Sequence, residues 1–515
     1  MGYSDIGCYG SEIRTPTLDG LGAGGVRFTQ FYNCARCCPT RASLLTGLYP
    51  HQAGVGHMVA NLGTPAYQGY LRDDCVTIAE VLREAGYRTM MSGKWHVGGA
   101  YTLGSEWHPG ASDAPLPVGR GFDEHYGTLA GAGSYFRPHT LIENETWIEV
   151  PDDGFYYTDA ISDRAAAMIG NAAGADQPFF LYVAYTAPHW PLQAWDEDIE
   201  RYRGRYRDGW DALRTARHET LKASGILDER WPISPRDGDA PPWDEITETD
   251  WEDARMAVYA AQVDRMDQEI GCIMARLREE GLEENTLVLF LSDNGGCAEL
   301  LREDGPRGSV LGDTIDGRPV RLGNRRDVMP GDADTFMSYD TPWANASNTP
   351  FRLFKHWVHE GGISTPLIVH WPQGFTGGRI VHAPGHVIDI MATCLDAASA
   401  PYPESYGDRQ ITPLEGESLL AACRGEDWSR ERPIFWEHEG NRAVRLPEWK
   451  AVSRYPGEWE LYNMVEDRTE TVDLAGRDLP RREAMARAYG EWAERVEVIP
   501  WDIQIARMRE MRKRH

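Results

Sequence analysis

Apolar and polar positions follow two different periods along the first three quarters of the chain. Residues 26–32 alternate as in a strand, and the apolar runs 179–185 and 287–291 are typical of buried strands. Residues 251–280 place apolar side chains three and four positions apart, which predicts a long helix. Residues 77–91 predict a capped helix that feeds a strand, which is half of a βαβ unit. The pattern therefore predicts an α/β domain around a buried sheet.

The pattern changes after about residue 400. Short strand-like runs separated by turn residues predict a small antiparallel sheet, and a helical stretch follows at 481–497. We therefore predict two domains, a catalytic α/β domain over residues 1–400 and a small sheet-and-helix subdomain over 401–515. The strand-like runs are 433–437, 442–446, 449–454 and 459–462.

Three stretches show little periodicity: 99–120, 195–250 and 300–347. Long irregular stretches inside a compact domain are usually functional or disordered. We interpret 195–250 as a surface insertion and expect all three stretches to line a cleft. None of them identifies a substrate.

Composition excludes several classes of partner. The 515 residues carry a net charge of -27, which argues against nucleic acid because phosphate binding needs a basic face. The nine cysteines are scattered and odd in number, so they do not indicate a disulfide framework. No apolar run reaches membrane-spanning length, so no membrane partner is expected. An anionic substrate would need a local cationic pocket.

The stretch 37–47 is the first candidate for chemistry. Pro39 suits the first position of a helix and Gly47 the position after its end. Cys37 would then lie at a helix N-terminus, where free N–H groups favour an anion, and Arg41 would add donors. The structural alternative is a small buried thiol beside an ordinary helix cap.

Two further candidates follow predicted strands. Lys94 and His96 are two residues apart after the strand that ends near residue 91, so in extended chain they face the same way. His189 follows the run 179–185. Cationic side chains at the carboxyl end of strands suit an anion site in an open α/β sheet. A solvated strand end and a structural histidine are the alternatives.

Asp293 and Asn294 follow the strand 287–291 directly. Their hard oxygens suit Ca²⁺, with Mg²⁺ as the second choice, and the glycines after them permit a sharp turn. A Ser-Asp-Asn-Gly turn is also a common loop former, so a purely structural role is the alternative.

Five separated motifs together resemble the type I sulfatases, and among these the bacterial arylsulfatases most. The resemblance runs from Met1 to about Asp473. The motifs are Cys-x-Pro-x-Arg followed by Leu-Thr-Gly at 37–47, Gly-Lys-Trp-His at 93–96, Ala-Pro-His-x-Pro at 187–191, Ser-Asp-Asn-Gly at 292–295, and Pro-Phe-Arg-x-x-Lys with Glu-Gly-Gly at 350–362.

This resemblance implies an alkaline-phosphatase-like α/β sandwich with a large, mixed, mainly parallel central sheet. It implies hydrolysis of a small-molecule sulfate ester, such as an aryl sulfate, by a hydrolase whose Cys37 a maturation enzyme oxidises to formylglycine. The hydrate of formylglycine would be the nucleophile. Cys38 occupies a variable position of the motif.

The resemblance also implies a role for each of the other motif residues. His96 would be the base, and His189 and Lys355 would contact the leaving oxygen and the sulfate. Lys94 and Arg41 would neutralise developing charge. Asp293 and Asn294 would be metal ligands. The structural and solvated roles described above remain the alternatives for these candidates.

In this family, two further aspartates end a strand directly before the segment that Met1, Gly2 and Asp5 resemble. We therefore expect the sequence to be shortened at its start, so that a leader would not be seen and no compartment is predicted. Because the missing strand would be central and apolar on both faces, we expect a groove in the core. We also expect weak Ca²⁺ binding and little activity.

Two other functions are compatible with these residues. A phosphonate monoester or phosphodiester hydrolase of the same superfamily would share formylglycine and most of the site. A non-catalytic relative that binds sulfated ligands would explain the absent Asp-Asp pair. We favour sulfate ester hydrolysis because the other catalytic positions are intact.

Overall fold

The computed structural model describes residues 1–99, 115–151, 154–175, 177–305 and 313–514, and side chains up to residue 510. Most of the irregular stretch 99–120 and residues 306–312 of the stretch 300–347 therefore lie outside the described residues. No described helix is both long enough and apolar enough to span a bilayer.

The first two hundred residues contain both helices and strands, as the hydrophobic pattern predicts. The elements of this part are α1 (Pro16–Gly24), β1 (Val26–Tyr32), α2 (Cys37–Thr46), α3 (Ile78–Glu84), β2 (Arg88–Gly93), β3 (Glu124–Thr128), β4 (Leu141–Glu143), β5 (Thr146–Trp147), α4 (Tyr157–Ala173), β6 (Phe179–Ala184) and α5 (Asp196–Glu200).

The middle of the chain adds the long helix and two more sheet strands. Its elements are α6 (Gly209–Ala223), α7 (Thr249–Glu279), β7 (Val288–Leu291), β8 (Arg321–Leu322), β9 (Thr335–Phe336), α8 (Asp340–Ser347), α9 (Glu360–Ile363), β10 (Ser364–His370), β11 (Arg379–Val381), β12 (Gly385–His386) and α10 (Asp389–Ala398). The predicted helix 251–280 and strand 287–291 each agree with the structure within two residues at either end.

The C-terminal part contains a four-stranded antiparallel sheet, in the order β15-β16-β17-β18, which confirms the predicted small sheet. Tyr489 and Trp492 pack beneath it in one cluster with Tyr49 of the first part. The boundary near residue 400 stays a prediction. The elements are β13 (Ser405–Tyr406), β14 (Arg409–Gln410), α11 (Leu420–Arg424), β15 (Ile434–His438), β16 (Asn441–Arg445), β17 (Trp449–Ser453), β18 (Glu460–Asn463), α12 (Leu479–Arg495) and α13 (Trp501–Arg514).

The large sheet is mixed, as predicted, and its described strands form two parts. One part has the order β11-β1-β10-β7, with β12 beside β1, and the other has the order β5-β4-β3-β2-β6. In the second part β2 runs parallel to both β3 and β6. In the first part β10 runs antiparallel to both β1 and β7, so antiparallel pairs are as prominent as parallel ones.

A cavity of about 570 Å³ separates the two parts of the sheet, and we call it the slot. All residues of β6 and β7, the edge strands of the two parts, line it. Side chains of α7 and α4 contribute further lining, as do side chains of α2, α3 and α10. The slot is thus bounded by a strand on either side and by helices.

The region 195–250 differs from its interpretation as an aperiodic surface insertion. It contains α5 and α6, and Arg217 of α6 is fully buried, with its guanidinium bound to Asp5 at 2.7 Å and to Glu12 at 2.8 Å. The helix escapes a search for apolar periodicity because it packs partly through charged side chains that are buried and paired.

Candidate active site

Cys37 opens α2 and is 3% exposed. The helix begins at Cys37, two residues before the predicted start at Pro39, with Arg36 as its extended N-cap. Gly47 ends it at φ 68°, and a Cβ there would lie 2.4 Å from Leu414, so the predicted glycine cap is required. The side chain at position 37 therefore lies at the positive end of a buried helix.

Lys94 and His96 follow β2 and are buried beside Cys37. The ligand atoms of Cys37, Cys38 and His96 lie within 4.8 Å of one another. Hydrogen bonding with Cys38, the charge of Lys94 and a hydrogen bond with His96 hold the pKa of Cys37 well below its usual value. The pocket therefore stabilises negative charge at position 37.

Burial lowers the pKa of both Lys94 and His96. His96 adopts a left-handed backbone conformation (φ 58°), so the extended geometry expected for this pair is wrong at His96. Its ring lies against Gly131, where a Cβ would come within 2.4 Å of both Cε1 and Nε2. A glycine at 131 therefore leaves the space that the imidazole occupies.

Arg41 connects several strand ends at the site. Its Nε donates to Asp293 Oδ2 at 2.9 Å, and its Nη1 donates to the backbone carbonyl of Lys94 at 2.6 Å. Further contacts reach Tyr182 Oη at 3.3 Å and the carbonyl of Tyr185 at 3.5 Å. Since the guanidinium already donates to these protein groups, Arg41 has fewer N–H groups left for an anion than the sequence predicts. These bonds make Arg41 a positioning residue at the carboxyl ends of β2, β6 and β7.

His189 and Lys355 meet although 166 positions separate them in the chain. Lys355 Nζ lies 3.0 Å from His189 Nε2, and His189 Nδ1 lies 2.9 Å from the carbonyl of Trp190. Because a carbonyl only accepts, the Nδ1 carries the proton and Nε2 accepts from the ammonium. Burial and the Lys355 charge lower the pKa of His189 well below its usual value. The ring is neutral and the proton of the pair is on Lys355.

Glu299 is a member of the site that the sequence reasoning missed. Its carboxylate lies 2.8 Å from Arg36 and 3.5 Å from Lys355, and it accepts from the indole of Trp190 at 2.7 Å. Burial alone would lower the pKa of Lys355, but the negative charges of Cys297 and Glu299 raise it. No motif marks Glu299, and a lone glutamate in an irregular stretch carries no signal in one sequence.

Asp293 and Asn294 lie where the sequence predicts a metal, directly after β7. Although burial would raise the pKa of Asp293, the charges of Arg41 and Lys94 lower it, so the group is a carboxylate. Asn294 Oδ1 is buried without a hydrogen-bond partner, which suits a cation ligand. Ca²⁺ however takes about six to eight oxygens.

The described residues do not complete that cation site. The clusters of three or more His, Cys, Asp or Glu side chains found in the described ranges do not include Asp293. The pair therefore supplies one carboxylate and one amide oxygen, and its carboxylate is already bound to Arg41. Asp293 and Asn294 also line the end of the slot, together with Met1, whose carbonyl accepts from Ser292 Oγ at 3.1 Å.

Fold and site together define a hydrolase for esters of a tetrahedral anion. A buried position at a helix N-terminus lies among two lysines and two neutral histidines, at the carboxyl ends of strands in an α/β sheet. Such groups bind an anion, transfer protons and stabilise developing negative charge.

Comparison with known proteins gives the particular family. The Sulfatase family profile matches residues 1–400. The chain is 33% identical to an arylsulfatase of Klebsiella aerogenes, over 84% of this chain and 92% of that protein. It is 32% identical to an uncharacterized sulfatase of Schizosaccharomyces pombe, over 92% of this chain and 88% of that protein.

Solved structures agree with the sequence comparison. The structure of Ps i-CgsB in complex with k-i-k-neocarrahexaose superposes with a TM-score of 0.66 at 25% identity, covering 96% of this chain and 90% of that chain. A sulfatase of Bacteroides fragilis matches with a TM-score of 0.63 at 19% identity, covering 98% and 95%, which supports the fold.

The chain belongs to the sulfatase family, and the alkaline-phosphatase-like fold and family predicted from the motifs are confirmed. Sulfate ester hydrolysis is the activity that this membership supports, and the phosphonate hydrolase alternative is not favoured. Members of the family generally use a formylglycine and a divalent metal.

Proposed function

We propose that this protein hydrolyses aryl sulfate esters, with a formylglycine made from Cys37 by a maturation enzyme. The observation that carries the proposal is the burial of Cys37 beside the neutral His96 and near Lys94 and Lys355, whose positive charges both interact with position 37. Similarity to the Klebsiella aerogenes arylsulfatase supports the aryl leaving group. The modified residue would supply a hydrated aldehyde as nucleophile.

His96 is the proposed base. Burial keeps its imidazole neutral by lowering its pKa, so a ring nitrogen is free to accept a proton at neutral pH. The Nδ1 of His96 is buried without a hydrogen-bond partner, and the imidazole packs against Gly131. A positioned base of this kind contributes about 10²–10⁴-fold. The proton accepted would come from the hydroxyl at position 37.

Lys355 is the proposed proton donor to the leaving oxygen, with His189 as its partner. The ammonium holds the proton and points at His189 Nε2, and the negative charges of Cys297 and Glu299 raise its pKa. The raised pKa keeps Lys355 an ammonium at neutral pH, so it can hydrogen-bond to the leaving oxygen and stabilise the negative charge that develops there. His189 Nε2 accepts a hydrogen bond from Lys355 Nζ and so holds the amine in place, both before and after one of its protons passes to the leaving oxygen.

Lys94 and Arg41 have different proposed roles. Lys94 faces position 37 and balances the charge of the sulfate group. Arg41 fixes Asp293 and the backbone of Lys94, so it acts on the substrate mainly through them. Ca²⁺ is the proposed cation at Asp293 and Asn294, and further oxygen ligands would be needed beside this pair to hold it.

The proposal is tested by comparing kcat/KM for two substrates with the same phenol. We expect an aryl sulfate to be cleaved with a higher kcat/KM than the matching aryl phosphonate monoester, as the similarity to the arylsulfatase of Klebsiella aerogenes supports. The reverse order would select the phosphonate hydrolase. Cleavage of neither by a preparation shown to carry formylglycine would favour the non-catalytic relative.

A further inference from the structure

A second cluster of metal-binding side chains lies outside the groups assigned to sulfate ester cleavage. We call it the histidine cluster, and it consists of His57, His356, His438 and Glu439. His57 follows α2 in a loop, His356 precedes α9, His438 ends β15, and Glu439 begins the turn to β16. Three segments far apart in sequence therefore bring three imidazoles and one carboxylate together.

The Glu439 carboxylate lies at the centre of the cluster. Its oxygens are 2.9 Å from His57 Nε2, 3.4 Å from His356 Nδ1 and 3.7 Å from His438 Nε2. The ligand atoms of His356, His438 and Glu439 all lie within 4.8 Å of one another. The ligand atoms around a tetrahedral ion each lie about 2.0–2.2 Å from the ion. Their separations from one another are close to the distances between Glu439 and the three imidazoles, so small shifts would suffice to bind an ion.

His438 gives an independent reason to expect a ligand. It is 0% exposed, and neither of its ring nitrogens has a hydrogen-bond partner. A buried imidazole without partners is costly, and such groups usually indicate an ion or a water that completes them. The Nε2 faces Glu439, so the unpartnered nitrogen points into the cluster.

The backbone is also arranged to bring these side chains inward. His356 and Glu439 both have positive φ, at 96° and 52°, a region that residues other than glycine rarely adopt. The side chains of His57, His356 and Glu439 are 13–26% exposed, so the cluster can be reached from solvent. Arg36, whose charge acts on His356 and His438, is paired with Glu299 at 2.8 Å.

We propose that the histidine cluster binds a divalent transition-metal ion of the zinc type. Imidazole nitrogens with one carboxylate suit Zn²⁺, Ni²⁺ or Cu²⁺, whereas Ca²⁺ prefers oxygen ligands. This ion would be distinct from the cation proposed at Asp293. Binding would release to solvent the proton of the hydrogen bond between His57 Nε2 and Glu439, and the proton on His356 Nδ1 would move to Nε2. The change of tautomer at His356 loses only the long hydrogen bond of 3.4 Å that Asn441 Nδ2 donates to His356 Nε2.

The test is direct metal binding, independent of turnover. The purified chain is titrated with Zn²⁺ by calorimetry and with Co²⁺ by visible absorption, because tetrahedral Co²⁺ is coloured. We expect one Co²⁺ site without the thiolate charge-transfer bands that the two cysteine-containing groups, at Cys37 and at Cys297, would produce. Sites at those cysteines are thus separated from the histidine cluster by their spectra.

Three variants locate the ion. Glu439→Gln and His57→Gln should each weaken binding by more than the about 10–100-fold that loss of an outer partner costs. His370→Gln is the matched control, since its Nδ1 is also buried without a partner but it belongs to none of the described clusters. Absence of binding, or equal affinity in all three variants, would overturn the proposal. Circular dichroism shows whether each variant has folded.

Discussion

On the anion side of the cleft, Cys37 lies among Lys94, His96 and the Lys355–His189 pair, whereas the cation side has Asp293 and Asn294 as its candidate ligands among the described residues. The groups of the anion side come from the N-terminus of α2, from the chain that follows β2 and β6, and from the segment before α9. Lys94 and His189 line the slot between β6 and β7, and so do Asp293 and Asn294. The two sides share the slot but differ in the charge of their side chains, so a substitution at Cys37 and added carboxylates beside Asp293 test them separately.

The largest expected effect is on the anion side. Cys37→Ala should reduce aryl sulfate hydrolysis to background, because it removes the atom that becomes the nucleophile. Cys38→Ala is the matched neighbour, and it should keep turnover since its thiol faces Met58 Sδ at 3.3 Å. The turnover of both variants is measured as the initial rate at saturating substrate. Each substitution is made in whichever form of the chain, with or without added residues, has the highest turnover. Turnover that persists in Cys37→Ala would remove the anion side from the mechanism.

The next effect concerns the cation side and the slot. A strand of six apolar residues, the length of β6, followed by Asp-Asp and fused before Met1 should raise the melting temperature, Ca²⁺ affinity and turnover together. The physical reasons are burial of apolar surface in the slot and added anionic ligands for the cation. Calorimetry, thermal unfolding and rate measurements follow the three quantities.

The control carries the same strand ending in Asn-Asn. It should raise the melting temperature while leaving Ca²⁺ affinity low, which separates filling the slot from completing the cation site. If the chain without any extension already binds Ca²⁺ tightly and hydrolyses an aryl sulfate at an ordinary enzymatic rate, other residues complete the cation side. The anion side and the cation side would then be equally complete.

A smaller effect is expected from Gly131→Ala. The added Cβ would lie 2.3 Å from the Cε1 of His96, so the ring must move. Displacing a catalytic group by about 1 Å costs on the order of 10²-fold, so kcat should fall by about that factor while Ca²⁺ affinity is unchanged. Gly133→Ala is the control, since its Cβ would lie no closer than 3.1 Å to His139, a much milder contact. Equal rates in the two variants would show that His96 has no positional role.

Much of the fold could be predicted from the sequence. Val26–Tyr32, the long helix α7 and the C-terminal strands were predicted because their periodicity is set by local burial. Helix α6 could not be predicted in this way, because Arg217 is buried through ion pairs with Asp5 and Glu12 that only the tertiary structure brings together. The mixed directions of the sheet strands also depend on long-range pairing.

The site shows the same division. Each motif residue was identified by its neighbours in sequence, and the structure brings Cys37, His96 and Lys355 into one pocket. Glu299 and Gly131 escaped because their importance depends on contacts with Lys355 and His96, which lie far away in the chain. The partner bonds of Arg41 were likewise invisible, since Asp293 is 252 positions away.

The central claim is that Cys37 becomes the nucleophile of a sulfate ester hydrolase. Peptide mass spectrometry of an active preparation from a host with a maturation enzyme tests this directly. We expect the peptide that spans Cys37 to carry formylglycine, in a fraction that rises in proportion to the specific activity on an aryl sulfate. An unmodified thiol at Cys37 throughout an active preparation would contradict the mechanism.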